Sequence, residues 1–387
     1  MDVFERDTRY LAHTYRRFPL EIAGGQGSIV LGGDGREYID LGSGIAVNIF
    51  GLNDPAWKAA VTAQLDHFAH CSNLFYAEPV VRLAEILCQR TGLSRVFFAN
   101  SGAEANECAI KVARKWAAQT KGPAYYNIIT LKNSFHGRTL ATLAATGQDG
   151  YHKDYQPLPE GFLYAEVGDI DGLERLIAEH KTAAILFECV QGEGGVRPIG
   201  QAYADALTEI AARHDLLLMC DEVQLGNGRS GQLYGYMNYG LSPDVVTTAK
   251  GLGGGLPIGA ALLGERVKDV LQPGDHGSTF GGNPAICAGG VSILSRIDEP
   301  LLAGVRERSA LIFDTLTGAK GIESVDGMGL MIGVKTIFPA REFAECLLDA
   351  GVLVTTAKDR IRLLPALNIP MDRLKTALQR LCDCAAK

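Results

Sequence analysis

The sequence has no uninterrupted apolar run of the ~18 residues that a membrane-spanning helix requires. It has no long basic run, and its net charge is −7, which argues against nucleic acid as a partner. The N-terminal stretch MDVFERDTRYLAHTYRRF is charged throughout and lacks the apolar core of a signal peptide. None of the nine cysteines falls in a CxxC or Cys/His metal cluster, and only Cys382 and Cys384 are close in sequence. An odd count without a framework points to reduced thiols in a cytoplasmic compartment. Internal repeats and low-complexity segments are also missing. What is present is ordinary for a globular protein: 47% hydrophobic and 21% charged residues over 387 positions, enough for two domains.

The 46 glycines cluster in short loops between apolar runs. RVFFA (95–99), YNIITL (126–131), AAILFE (183–188), LLLMC (216–220) and DVVTTA (244–249) read as strands. Helical spacing fills the gaps at 103–119, 171–180 and 203–214. Near-continuous apolar strands alternating with helices predict an α/β fold, its mostly parallel sheet covered on both faces. Beyond about residue 285 the pattern shifts to a long helical stretch, shorter strands such as LMIGVK (330–335) and closing helices. The expected division is a small-domain segment at 1–45, a large domain at 46–285 and the rest of a small α+β domain at 286–387. The turn GGDGREYID (32–40) belongs to a small meander in the first segment.

In such sheets chemistry gathers at the carboxyl ends of the strands. After DVVTTA comes Lys250, followed by GLGGGLPIGA. A nucleotide phosphate loop has its glycines first and its lysine last. Here the order is reversed, so Lys250 is read as a reactive amine fixed at a strand end. Desolvation would make it a nucleophile toward carbonyls. After LLLMC comes Asp221, a buried carboxylate that needs a cationic partner. After RVFFA comes NSGAEANE, where Ser101 and Glu104 have capping-box spacing. Gly102 and Ala103 would then offer backbone N–H groups to an anion.

Taken singly, these are a helix cap, an ion pair and a loop lysine. Together they supply what pyridoxal phosphate asks for: a phosphate cradle, a carboxylate for the ring nitrogen and a lysine for the aldehyde. Phe135 of FHGRT (135–139) can stack on a flat ring, and Arg138 can grip a carboxylate. Ser278 and Thr279 in HGSTFGGNP (276–284) suit a phosphate. His136 and His276 read as structural hydrogen-bonding groups.

These motifs resemble those of the class III aminotransferases, a fold-type-I group dependent on pyridoxal phosphate. The resemblance spans nearly the whole chain. It rests on GIAVN (44–48), SNLFY (72–76), SGAEANE (101–107), FHGRT, QGEGGV (191–196), DEVQ (221–224), AKGLGGG (249–255), HGSTFGGNP, GLMIG (329–333) and RLLPALNI (362–369). It implies that Lys250 carries the cofactor covalently and that Asp221 pairs with the ring nitrogen. Gln224 would reach the ring's phenolic oxygen, with Val223 and Phe135 on the two faces. Ser101, Gly102 and Ala103 would hold the phosphate, and Thr279 would reach the phosphate of a neighbouring subunit, making the active unit a homodimer. Arg138 would bind the substrate α-carboxylate, with Ser278 nearby. Glu193 would cover Arg362 while an ω-amine reacts, then release it to a second carboxylate. No metal is implied.

The implied reaction moves the δ-amino group of N2-acetylornithine to 2-oxoglutarate, a step of arginine biosynthesis. Succinylornithine, 4-aminobutyrate, free ornithine and acylated lysine are the alternative donors. Family members using free ornithine typically carry a tyrosine where this chain has Gly44. Two further departures lie near the site: Cys189 replaces a common proline, and Leu225 replaces a common threonine. Both predict altered packing with the charged roles untouched. IDLGSG (39–44) resembles a methyltransferase loop, but no apolar strand precedes it. A non-catalytic cofactor-binding protein would have lost Lys250 or Asp221, and both are present.

Overall fold

The computed structural model describes residues 1–387. Its strands are β1 (Ile22–Gln26), β2 (Ile29–Gly32), β3 (Glu37–Asp40), β4 (Arg95–Ala99), β5 (Asn127–Leu131), β6 (Phe162–Ala165), β7 (Thr182–Phe187), β8 (Val190–Gln191) and β9 (Arg197–Pro198). They continue as β10 (Leu217–Asp221), β11 (Val245–Ala249), β12 (Gly259–Leu263), β13 (Ile322–Met328), β14 (Met331–Thr336), β15 (Val352–Leu353), β16 (Thr355–Ala357) and β17 (Arg360–Leu363).

Seven of them form the central sheet, in the order β4-β12-β11-β10-β7-β5-β6. All neighbouring pairs from β11 to β6 are parallel, while β12 runs antiparallel to both β4 and β11. The α/β architecture read from the sequence is therefore the observed one. Every residue of β7, β10, β11 and β12 is buried, which explains why these strands read as unbroken apolar runs rather than alternations. Helix Gly102–Thr120 covers one face. Its Ala105, Ala109, Ala113 and Ala117 recur every fourth residue and are fully buried. Four small side chains on one stripe let the helix axis approach the sheet closely.

Two smaller four-stranded sheets flank this layer. One has the order β1-β2-β3-β15, so residues near the N-terminus pair with Val352 and Leu353. The other, β13-β14-β17-β16, carries Arg362 in its third strand. No helix is long and apolar enough to cross a membrane.

Candidate active site

The parallel strands put the ends of β5, β7, β10 and β11 along one edge of the central sheet. The register Ala99↔Gly259↔Ala249 aligns the end of β4 there too, with the start of β12 between it and β11. At this edge lies a cavity of about 500 Å³. Lys250, Asp221, Val223, Gln224, Ser101, Gly102, Ala103, Phe135 and Arg138 all line it.

Lys250 follows β11 directly and has φ +44°. A left-handed lysine is unfavourable, and such strain is retained where surrounding structure over-determines it. Its amine enters no ion pair, and its open side faces the cavity. Burial, helped by the Arg362 charge, lowers its pKa to about 8 against the opposing pull of Glu193, Asp221 and Glu188.

Asp221 closes β10 and is held from three sides. Oδ2 accepts from Asn106 Nδ2 at 2.7 Å and meets His136 Nδ1 at 2.8 Å, while Oδ1 accepts from the Val223 N–H at 3.0 Å. Thr247 in turn donates to Asn106 Oδ1 at 2.7 Å. The carboxylate is thus fixed in direction. His136 is a structural histidine whose partner is the acid itself.

Also on the cavity wall, Ser101 caps the helix Gly102–Thr120 by accepting from Glu104 N at 3.2 Å. The reciprocal half of the capping box is shifted: Glu104 accepts from Asn100 N at 2.6 Å, not from Ser101. The first-turn N–H groups of Gly102 and Ala103 have no acceptor within the helix. A Cβ on Gly102 would come within 2.6 Å of Val223, so glycine is what lets this cradle and the Val223 wall coexist.

Arg138 is exposed and has no carboxylate partner. Its guanidinium lies 4.1 Å from the Tyr151 ring centroid and 5.5 Å from that of Phe135. Arg362, by contrast, is buried and engaged: Nη1 donates to Glu193 Oε1 at 2.5 Å and to Gln224 Oε1 at 2.8 Å. Burial pushes the Glu193 carboxyl up, but Arg362 outweighs it and the net shift is downward. Gly333 makes this meeting of sheets possible, because a Cβ there would come within 2.8 Å of Val196 on the segment after Glu193. Gln224 lines the cavity and also belongs to this cluster.

Ser278 and Thr279 stand outside the cavity lining. Ser278 Oγ accepts from Asn100 Nδ2 at 3.1 Å and from Gly281 N at 2.9 Å, and Thr279 is exposed. Gly44 lies outside it as well, with φ +63° in a left-handed turn whose neighbour Val47 reaches the cavity. Cys189 Sγ packs 3.7 Å from Cys220 Sγ, and Leu225 is buried against Gly235, so both departures are absorbed as packing.

Asn106 and Glu188 are cavity residues that the sequence reading passes over. Glu188 is the first residue past β7, so the strand-end rule that selects Asp221 selects it too. Burial, then the Asp221 charge, pushes its carboxyl well above the usual range. It accepts from the backbone N–H groups of Phe135 and Gly192, tying the ring wall to the Glu193 loop.

A fold with an amine, a fixed carboxylate and an anion cradle around one cavity defines a pyridoxal-phosphate-dependent transferase. The residues lining this cavity suit that cofactor's three handles in kind. The sequence profile of the class-III aminotransferases matches residues 10–385, and this chain belongs to that family. It is 47% identical over 372 residues to an acetylornithine aminotransferase of Haemophilus ducreyi, covering 95% of this chain and 94% of that one. It is 42% identical over 386 residues to a succinylornithine transaminase of Salmonella paratyphi A, with 97% and 94% covered. Its backbone superposes with a TM-score of 0.94 on an ornithine aminotransferase from Toxoplasma gondii with pyridoxal phosphate partially occupying the active site, at 29% identity and 99% and 93% coverage. Pyridoxal phosphate is the family's cofactor.

Proposed function

We propose that this enzyme transfers the δ-amino group of N2-acetylornithine to 2-oxoglutarate in the cytoplasm, giving N-acetylglutamate 5-semialdehyde and glutamate for arginine biosynthesis. The observation that carries this reading is the unequal state of the two arginines. Arg138 is free for a carboxylate, while Arg362 is already covered by Glu193. A donor with one carboxylate and a distal amine fits the covered state. A dicarboxylate acceptor needs Glu193 to swing aside.

Pyridoxal phosphate, when bound, supplies an electron sink for charge developing at the substrate's reacting carbon. The chain's residues do the rest. Lys250 would hold the cofactor's aldehyde and move the proton at the substrate's reacting carbon. Asp221, oriented by Asn106 and His136, would hold a proton on the ring nitrogen. Phe135 and Val223 would bound the two ring faces, and Gln224 would reach the ring's phenolic oxygen. Ser101, Gly102 and Ala103 would bind the phosphate. Arg138 would set the donor's α-carboxylate. N-acylation removes the α-ammonium charge, so only the δ-amine competes for the aldehyde. Acetyl is favoured over succinyl on the similarity to the acetylornithine enzymes.

The test is kcat/KM for acetylornithine, succinylornithine, ornithine and 4-aminobutyrate, each with 2-oxoglutarate. Acetylornithine is expected first. Free ornithine or 4-aminobutyrate in first place refutes the assignment, and succinylornithine in first place keeps the mechanism but changes the donor.

Arg362→Ala is expected to slow the half-reaction with 2-oxoglutarate about 10- to 100-fold, the worth of a charged hydrogen bond of ~1.5–3 kcal/mol. The amine half-reaction should change far less. Equal damage to both in single-turnover kinetics would argue against the switch.

The working unit of this reading is a homodimer. Leu74, Phe75 and Tyr76 are 87%, 70% and 100% exposed, too large an apolar cluster to leave in water. Asn73 Nδ2 donates to the carbonyls of Ser278 and Gly281, which joins that cluster to the loop bearing Thr279 and the exposed Phe280. A second copy covering this face would bring Thr279 to its own phosphate site. Mixing inactive Lys250→Ala and Thr279→Ala proteins should restore partial activity, since one hybrid site is then wild type. Additive behaviour without recovery would contradict shared sites.

A further inference from the structure

The cysteines that lie close in sequence, Cys382 and Cys384, are not the pair the fold brings together. Helix Ala340–Asp349 packs against the C-terminal helix Met371–Ala385, and this places Cys346 Sγ 2.9 Å from Cys384 Sγ. That is inside the ordinary contact distance of two sulfur atoms. Both thiols line a small surface cleft of about 110 Å³, with Phe338, Phe343 and Lys387 around them. Cys346 is half-buried, so a reagent can reach it, whereas Cys384 lies behind it at 3% exposure. Lys387 Nζ stands 3.8 Å from Cys346 Sγ at the mouth of this cleft. The other close pair, Cys189 and Cys220, is 3.7 Å apart and sealed within the core.

We propose that Cys346 and Cys384 are a modification site: a dithiol that closes to an intramolecular disulfide with a low-molecular-weight disulfide such as oxidised glutathione. The Cys346 thiolate attacks one glutathione sulfur, forming a mixed disulfide and expelling one glutathione thiolate. Cys384, losing its proton, attacks Cys346 Sγ and expels the second. The cysteine pair gives up two electrons and two protons, and the oxidised glutathione becomes two molecules of the thiol. The order follows from exposure, since only Cys346 meets the oxidant. Burial and the neighbouring sulfur push the Cys384 thiol up to about 12, so it keeps its proton until Cys346 is capped. The bond would staple two helices whose cysteines are separated by 38 positions. Closing a loop of that length restricts the unfolded chain and raises stability.

The experiment uses the native holoenzyme incubated with oxidised glutathione, followed by thiol counting and peptide mapping without reduction. The expected result is the loss of two thiols per chain, a linked pair of peptides containing Cys346 and Cys384, a Tm several degrees higher and full reversal by dithiothreitol. Cys382→Ser should leave all of this intact. A link between Cys382 and Cys384 or between Cys189 and Cys220 overturns the assignment. So does a glutathione adduct that persists on Cys346, or no thiol loss at all. The wild-type map decides the matter even where a Cys346→Ser or Cys384→Ser protein folds poorly.

Discussion

Lys250→Ala is expected to lower turnover by at least ~10³-fold, since the variant loses both covalent attachment and the group that moves the proton, each worth orders of magnitude. The fold should survive. Lys250 donates to no side-chain or backbone acceptor and sits in a turn after β11, so its removal leaves no buried group unpaired. The cofactor should still bind through the cradle at Ser101, Gly102 and Ala103 and through Asp221. Borohydride reduction of the wild-type holoenzyme, followed by peptide mapping, should tag Lys250 and nothing else. A tag on another lysine, or none, removes the basis of the assignment. A pH dependence follows as well. Only the neutral amine condenses with an aldehyde, and burial lowers this amine from its ordinary 10.5 to about 8. Reloading of cofactor-free enzyme should therefore accelerate as pH rises and level off above about 8. A rate still climbing steeply near pH 10 would mean that the amine is not desolvated as the fold indicates.

How far the site is legible without coordinates depends on how local its parts are. Strands buried on both faces announce themselves as apolar runs, and the residue after each run is then a site candidate. That logic reaches Ser101, Asp221 and Lys250 directly, because each follows or ends its own strand. Glu188 obeys the same rule but sits in FECVQGE, where the later Glu193 draws the eye. Other features arise only from pairing between distant segments. The five residues of β12 lie antiparallel between β4 and β11, and nothing in GAALL specifies those partners. The two-residue β15 joins β3 across more than 300 positions of chain. The Arg362–Gln224 contact links β17 to the turn after β10, and the Cys346–Cys384 contact links two helices. Side-chain meetings of this kind have no periodicity to reveal them. Conversely, the capping box at Ser101 is legible as spacing, yet its second half goes to Asn100, one residue earlier. Local motifs predict that a cap exists better than they predict which N–H group it satisfies.

Asp221→Asn should cost turnover about 10²- to 10³-fold while leaving Lys250 open to borohydride tagging. The asparagine keeps the size of the side chain and can still accept from the Val223 N–H and from Asn106. It loses the negative charge. In the wild type that charge is buried beside Lys250 and held by three partners, so it faces the cavity with little freedom to reorient. A protonated ring nitrogen held by this carboxylate would form a buried charge pair. Removing one member of such a pair costs about 3–5 kcal/mol, and each 1.36 kcal/mol is roughly tenfold. The loss should fall on kcat in both half-reactions alike, because both draw on the same ring nitrogen. This separates it from the Arg362 variant, whose damage is confined to the dicarboxylate. Glu188 provides an independent readout. Its carboxyl is raised by burial and secondarily by the Asp221 charge, so neutralising Asp221 should lower the Glu188 pKa. A carbonyl-stretch band of the protonated acid, followed by infrared difference spectroscopy, should then disappear at a lower pH in the variant. Less than a tenfold fall in kcat, with the Glu188 band moved as expected, would show that the charge is present but that the reaction does not depend on it.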